Sequence, residues 1–328
     1  MRTRSFKSSS NPVSSANGHR AKTEKPSGHT AVLLHEAIEQ LGIKSGDVVV
    51  DATLGGGGHA KSIAKLLGKG GVLIGMDLDQ DAIERTRVAL KGLSKPKMHL
   101  VTANFRNLSS ELGMLGVTKI DKALFDLGWS GHQLDAGRGF SFLKNEPLVM
   151  TYAANPEPNA LTAASIVNEW GEESIADIIF GWGEERYARR IAKKIVEHRA
   201  SKPFQTAVEL AEVIRAAVPA AYRYGRIHPA TKTFQALRIA VNDELGALKE
   251  GLASAWSALK EGGRIAVITF HSIEDREVKR MFLKWEQEGE GRRITRSPIR
   301  ASTEEVALNH RSRSAKLRVI EKTFQNSK

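Results

Sequence analysis

The chain has 328 residues, 41% of them hydrophobic, with 49 Lys plus Arg against 37 Asp plus Glu, a formal net charge of +12 at pH 7. That much apolar content excludes a wholly disordered protein, and the length suits about two domains of roughly 150 residues each. With no cysteine, a disulfide framework, a thiolate metal site and a cysteine nucleophile are excluded.

The excess charge lies at the two ends. Residues 1 to 28 carry six basic and one acidic residue, residues 291 to 328 carry ten and three, and the middle is neutral. Basic ends of this kind suit a polyanion, so nucleic acid is the first partner to test. No run approaches the roughly 18 apolar residues of a membrane span. Residues 1 to 28 are polar and of low complexity, with no apolar core for a signal peptide, and read as a disordered basic tail. A soluble cytoplasmic protein with no membrane partner is the expectation.

Order is expected from about His29. Leu34, Ala37, Ile38 and Leu41 share one helical face, and Gly42 ends that helix. From Asp47 short β-branched runs alternate with helical ones. DVVVDATL reads as a first strand, GGGG as a turn, HAKSIAKLL as a helix, GVLIGMDLD as a second strand and DAIERTRVALKGL as a helix. MHLVTANF follows as a third strand, then a short helix over 108–115, then KALFDLG as a fourth strand. This alternation predicts parallel crossovers in an α/β sheet.

After Gly128 the rhythm breaks. Helical patterns through WGEERYARRIAKKIVEHRA and FQTAVELAEVIRAAV predict an inserted, mostly helical subdomain. Pro229 suits the first turn of one long helix, TKTFQALRIAVNDELGALKEGLASAWSAL, followed by GGRIAVITF as a fifth strand and SIEDREVKRMFLKW as a helix. Residues 288–313 read as a loose basic loop before a late strand in SAKLRVIEKTF. The expected division is a tail over 1–28, sheet domain over 29–142, helical insert over 143–226 and sheet domain again over 227–328.

The loop Gly55-Gly56-Gly57-Gly58-His59-Ala60 joins a strand to a helix, and Asp77 ends the next strand. Glycines admit a ligand close to the backbone, the helix start offers free N–H groups, and a carboxylate at the second strand's end accepts ribose hydroxyls. An adenosine cofactor follows, although the loop alone does not separate a nicotinamide dinucleotide from S-adenosylmethionine. Five strand ends carry polar groups: Asp51, Asp77, Asn104, Asp126 and His271-Ser272. In an open parallel sheet such ends converge on one ligand-binding edge. Gly128-Trp129-Ser130-Gly131-His132 misses the nucleophile-elbow pattern, and no H-E-x-x-H or paired histidines suggest a metal, so none is expected.

HTAVLLHEAI, DATLGGGGHA, DLGWSGHQLD, GRGFSF, WGEERYARRIAKKIVE, HPATKTFQALRIAVNDEL and ITFHSIEDREVKR occur in one order along the chain. In this the sequence resembles the bacterial 16S rRNA cytosine-N4 methyltransferase family, from about His29 to the last strand. The resemblance implies a class I, Rossmann-like S-adenosylmethionine-dependent methyltransferase fold with a helical insert, acting on a decoding-region cytidine of the small ribosomal subunit. It places cofactor contacts on Gly57, Gly58, His59, Asp77, Phe105, Asp126 and Gln133. Two departures put substrate contacts in doubt: Ser130-Gly131-His132 where relatives have Ser-Ser-Pro, and Val149-Met150-Thr151-Tyr152 where they have Asp-Met-Arg-Met.

For N4 methylation, Asp126 is the candidate hydrogen-bond acceptor that orients the amine, and its alternative role is only to hold the cofactor. His228, Lys232, Arg238, His271, Asp275 and Arg276 are candidates for an RNA-facing wall, with helix-terminal ion pairs as the alternative for Asp275 and Arg276. The target base has to leave its stack to reach the sheet edge, while the N-terminal tail and RRITRSPIR are candidates to hold phosphates. A non-catalytic RNA-binding assembly factor and a nicotinamide-dependent oxidoreductase are the competing functions, and cofactor binding discriminates them. The oligomeric state is left open, a homodimer included.

Overall fold

The computed structural model describes residues 31–93, 96–128, 137–153 and 156–323. Helix α1 (Leu34–Leu41) ends where expected, with Gly42 left-handed at φ 59°. The chain then runs β1 (Val48–Asp51), α2 (Gly58–Leu67), β2 (Val72–Asp77), α3 (Gln80–Ala89), β3 (Lys97–Thr102), a 3-10 turn (Phe105–Asn107), α4 (Leu108–Met114) and β4 (Ile120–Asp126). The insert supplies α5 (Ala163–Glu169), α6 (Glu172–Gly183), α7 (Ala188–Arg199), α8 (Ala207–Ala217) and the short α9 (Ala220–Arg223). After it come α10 (Thr231–Asn242), α11 (Glu244–Ala258), β5 (Leu259–Thr269), α12 (Ser272–Gln287), β6 (Gly291–Arg293), α13 (Thr303–Leu308) and β7 (Lys316–Lys322).

The seven strands form one sheet in the order β3-β2-β1-β4-β5-β7-β6. All neighbours are parallel except β7, which runs antiparallel to both β5 and β6. This is the expected methyltransferase arrangement, an α/β sheet of Rossmann type. Its central strands β1, β2 and β4 are near-continuous apolar runs because both faces are covered. Ala37, Ile63 and Leu67 of α1 and α2 pack on one face, and Leu252 and Phe282 of α11 and α12 on the other. The strand order reverses between β1 and β4, which opens a crevice at their carboxyl ends.

The insert has a separate apolar cluster, built on Ile166, Ile179, Ile191, Leu210 and Ile214. Phe234 and Leu237 of α10 join that cluster, so α10 packs into the insert while α11 packs on the sheet. No helix among the described residues is long and apolar enough to cross a membrane.

Several expectations are corrected. The long helix is two, broken at Asp243, which sits left-handed at φ 44°. Aspartate tolerates that conformation better than most residues, and the side chain of Asn242 meanwhile donates to the Met150 and Arg238 carbonyls. Pro229 precedes the cap residue Ala230 rather than lying in the first turn. The pattern through WGEERYARR is interrupted at Glu184, also left-handed at φ 50°.

The segment expected as a loose loop is tied to β7. Ile294 donates to the Val319 carbonyl, Ile299 and Leu317 exchange backbone bonds, and the Thr295 hydroxyl accepts the Val319 N–H at 2.8 Å. Its cations are partly neutralised too, with Arg292 on Glu321 and Arg293 on Glu286. The N-terminal tail, Gln133 and Ser130-Gly131-His132 lie outside the described residues.

Candidate functional site

At the carboxyl edge of β1, β2 and β4 lies a cleft of about 1070 Å3, counting space open to solvent. Its floor is the glycine loop. Gly55 and Gly57 are left-handed at φ 51° and 76°, conformations that cost a side-chain-bearing residue roughly 1 kcal/mol or more. Gly55, Gly56, Gly58 and His59 line the cleft. Gly57 does not; it caps α2, and a Cβ there would meet the Thr86 hydroxyl at 3.0 Å. A Cβ on Gly58 would meet Ala31 at 2.8 Å, so the loop is packed as closely behind as it is open in front.

Asp77 closes β2 at the cleft wall. Its carboxylate accepts the Gly55 N–H at 2.8 Å and the Asp79 N–H at 2.9 Å, which fixes it while each oxygen keeps a lone pair for a ligand. Burial pushes the carboxyl above its ordinary range, and the two amides oppose that shift. Phe105 offers a ring to the same cleft, set edge-on to Phe125 at 5.6 Å. An ordered carboxylate, a ring and a glycine floor fit an adenosine with its ribose diol. Asp51 is placed differently: it is fully buried behind the cleft, its Oδ2 has no hydrogen-bond partner, and burial pushes its carboxyl well up.

Asp126 ends β4 on the opposite wall. The Thr53 hydroxyl accepts its N–H at 2.7 Å, and its Oδ1 faces the Gly128 N–H at 3.4 Å. Burial raises the carboxyl to about 7; Gly128 and Arg311 lower it, and Glu274 adds to the rise. The Nε2 of His59 lies 3.2 Å from the Val32 carbonyl, so Nε2 carries a hydrogen, and Nδ1 is 3.6 Å from Asp126 Oδ2. That approach is attractive when one of the two groups holds a further proton.

The cleft is completed by residues that pattern reading missed: Tyr152, Asn242, Glu244 and Glu274. Glu244 accepts the Tyr152 hydroxyl at 2.7 Å and holds Arg238 through two bonds. Glu274 is the third residue of α12 and forms a capping box with His271. It accepts the Phe270 and His271 N–H groups. His271 Nε2 lies 3.0 Å from Glu274 Oε1 but is not aligned for a hydrogen bond. Burial alone would raise the Glu274 carboxyl; His271, Arg238 and the Phe270 amide override it and hold the group below its usual range. Glu244, His271 and Glu274 bring ligand-type atoms within 4.8 Å of one another, but the guanidinium of Arg238 already supplies their countercharge.

The six residues expected on an RNA-facing wall separate. Arg238 and His271 line a second cavity beside the cleft. His228 stacks on Phe142 at 4.5 Å. Lys232 donates to the Glu184 carbonyl, and Arg276 pairs with the Glu184 carboxylate. Asp275 points away from the cleft and pairs with Arg318 and Lys316 of β7, because successive helical residues project about 100° apart.

The family model described as the MraW methylase family matches residues 26–323. Over 310 residues the chain is 46% identical to the ribosomal RNA small subunit methyltransferase H of Clostridioides difficile (strain 630), covering 90% of this chain and 98% of that one. The protein of the same name from Symbiobacterium thermophilum is 44% identical over 310 residues, at 90% and 96% coverage. That from Lactobacillus delbrueckii subsp. bulgaricus (strain ATCC BAA-365 / Lb-18) is 45% identical over 313 residues, at 90% and 98%.

Proposed function

The chain belongs to the MraW methylase family and is an S-adenosylmethionine-dependent methyltransferase, and from that premise we propose that it methylates N4 of a cytidine in the decoding region of 16S rRNA, in the small ribosomal subunit. The relatives' names, ribosomal RNA small subunit methyltransferase, support the RNA class. The observation that carries the amine as acceptor of the methyl group is Asp126, a half-buried carboxylate on the cleft wall opposite Asp77.

The fit of the cofactor rests on the glycine floor, the Asp77 carboxylate and the Phe105 ring. When bound, S-adenosylmethionine supplies an electrophilic methyl group on a sulfonium that is already a good leaving group. The task left to the chain is alignment and water exclusion. Gly55, Gly56 and Gly58 bring backbone up to the cofactor, and Asp77 receives the ribose hydroxyls.

The N4 lone pair of cytosine is delocalised into the ring and is a poor nucleophile. An acceptor on one N–H favours a pyramidal nitrogen and takes up the charge that develops there, which is the role assigned to ionised Asp126. With its carboxyl near 7, the group exchanges protons readily around neutrality and is suited to receive the amine hydrogen.

The test is transfer of labelled methyl from S-adenosylmethionine to small subunits lacking native methylation, with nucleoside analysis and Asp126→Ala alongside. N4-methylcytidine that disappears in the variant is expected. Product that persists in the variant at saturating cofactor would remove Asp126 from the chemistry. No product from the wild type, despite RNA binding, would return the assembly-factor reading.

A further inference from the structure

Beside the cofactor cleft lies a second cavity of similar size, about 1050 Å3 with its open mouth. We propose that this second cavity is the slot that receives the extruded pyrimidine nucleotide, its ring among the phenylalanines and its acceptor edge toward the His310-Arg311 segment. The assignment rests on the proposed cytidine chemistry and adds to it the place where the base sits.

The first argument is position. The two cavities share a wall made of residue pairs, one member facing each side: Glu244 with Arg238, Glu274 with His271, and Gly128 with Phe270. Arg238 and Glu244 are in hydrogen-bond contact, and His271 and Glu274 are 3.0 Å apart. Phe270 packs so closely on Gly128 that a Cβ there would meet its ring at 2.6 Å. A group in the second cavity is therefore separated from the cofactor cleft only by these paired residues.

The second argument is chemistry. Phe140, Phe142, Phe234 and Phe270 give the slot its apolar walls, and Phe142 meets Phe234 edge to face at 5.3 Å. Flat aromatic walls suit a base removed from its stack. No carboxylate lines this cavity among the described residues, whereas its rim carries Arg238, His271, His310 and Arg311. Cytosine has matching polarity: O2 and N3 accept hydrogen bonds, and the N4 amine donates. The acceptor edge meets the Arg311 guanidinium and the imidazole rings of His271 and His310, and the amine turns toward the shared wall, on the side of Asp126. The positive charge of Arg311 also lowers the proton affinity of Asp126.

The third argument is construction. His310 and Arg311 belong to the 3-10 turn His310–Ser314, in the stretch that sequence alone left as a loose loop. The contacts of Ile294, Thr295 and Ile299 with β7 fasten that stretch to the sheet, so the rim is carried by the methyltransferase sheet, while Phe234 comes from α10 on the insert side. The slot thus lies where the two packed clusters meet.

The experiment titrates cytidine 5′-monophosphate into the S-adenosylhomocysteine-loaded protein, followed by saturation-transfer NMR. Phe142→Ala, Phe142→Tyr and Arg311→Ala are compared with the wild type, and S-adenosylhomocysteine affinity is measured by calorimetry. The expected result is nucleotide affinity about tenfold or more weaker in Phe142→Ala, restored by Phe142→Tyr, and weakened in Arg311→Ala. S-adenosylhomocysteine affinity stays within about twofold throughout, since no cofactor contact is touched. Unchanged nucleotide affinity in both Ala variants, displacement of S-adenosylhomocysteine by the nucleotide, or no saturable binding at millimolar nucleotide would overturn the slot. Methyl transfer to small subunits separates this from the wider reading. A wild type that binds the nucleotide here yet makes no N4-methylcytidine overturns the proposed reaction and leaves the slot standing. A wild type that methylates, while Phe142→Ala keeps its nucleotide affinity and its KM for subunits, does the reverse.

Discussion

Glu244 grips the Arg238 guanidinium at two points, Oε1 2.7 Å from Nε and Oε2 3.0 Å from a terminal nitrogen, and its Oε1 also accepts the Tyr152 hydroxyl at 2.7 Å. Arg238 belongs to the helix packed in the insert, Glu244 to the helix packed on the sheet, and Tyr152 to the segment leading into the insert. One carboxylate therefore ties three parts of the chain together beside the cofactor cleft.

Both side chains of that pair are only 11% exposed, so removing one partner leaves a buried charge uncompensated. Arg238→Met is expected to cost about 3–5 kcal/mol of stability, read as a lower urea midpoint with unchanged slope. Because Tyr152 loses its fixed acceptor geometry, methyl transfer per folded molecule should fall as well. The double variant Arg238→Met/Glu244→Gln should recover part of the stability, and a cycle with no coupling between the two positions would count against the tie.

Asp77 carries a separate prediction. Asp77→Asn keeps one carbonyl oxygen for the loop amides but removes the charge that strengthens the bonds to the ribose hydroxyls. Hydrogen bonds to a charged group contribute about 1.5–3 kcal/mol, so S-adenosylhomocysteine affinity should drop about tenfold to a hundredfold by calorimetry. Substrate RNA binding should be unaffected, and an unchanged cofactor affinity would remove Asp77 from the cofactor site.

Asp126 opposes stability and activity. Its carboxyl is raised from 3.8 to about 7, so the native state favours the protonated form. Stability linked to this group is fully present below pH 3.8 and falls as pH rises toward about 7, where the half-buried charge appears. Asp126→Asn is therefore expected to melt higher than the wild type at pH 8, by up to about 4 kcal/mol of stability, and to melt alike near pH 3. Methyl transfer moves the other way: the wild-type rate should climb through pH 7, while the variant should lose about a hundredfold. A variant less stable at pH 8 would show that the carboxylate is held by partners rather than strained by burial.

The sequence makes Asp77, Phe105 and Asp126 readable as cleft residues because each sits at or just beyond a strand end, and strand ends are legible from short apolar runs. Glu244 was hidden for a physical reason. Its position depends on the left-handed break at Asp243, and the apolar spacing through Phe234, Leu237, Leu248 and Leu252 continues across that break without a mark. Glu274 was hidden differently: it lies within the same motif as His271 and Asp275, but motif membership does not say which way a side chain projects. A signal for it existed in the spacing of a capping box, with a carboxylate three residues after the cap. The ordered stretch after β6 was missed because its hold on β7 consists of scattered backbone bonds, which leave no periodic pattern.

Asp275 provides the clearest separation of a structural charge from a chemical one. It accepts from Arg318 Nε at 2.6 Å and from Lys316 Nζ at 2.9 Å, and it belongs to neither cavity. Burial would raise its carboxyl, but the two cations override burial and hold it below 3.8. For a group depressed in this way, the stabilisation is present above the ordinary carboxylate value and disappears as pH falls through the lower native one. Asp275→Asn should therefore lower the melting temperature at pH 7, and the gap from the wild type should close on acidification below the ordinary carboxylate range. Breaking a buried pair of this kind costs about 3–5 kcal/mol, which is enough to reduce the yield of folded protein. Once only folded molecules are counted, kcat and the KM for subunits should match the wild type. A KM for subunits raised tenfold with stability intact would instead mean that Asp275 meets the RNA, and that its contacts with β7 are given up when the substrate binds.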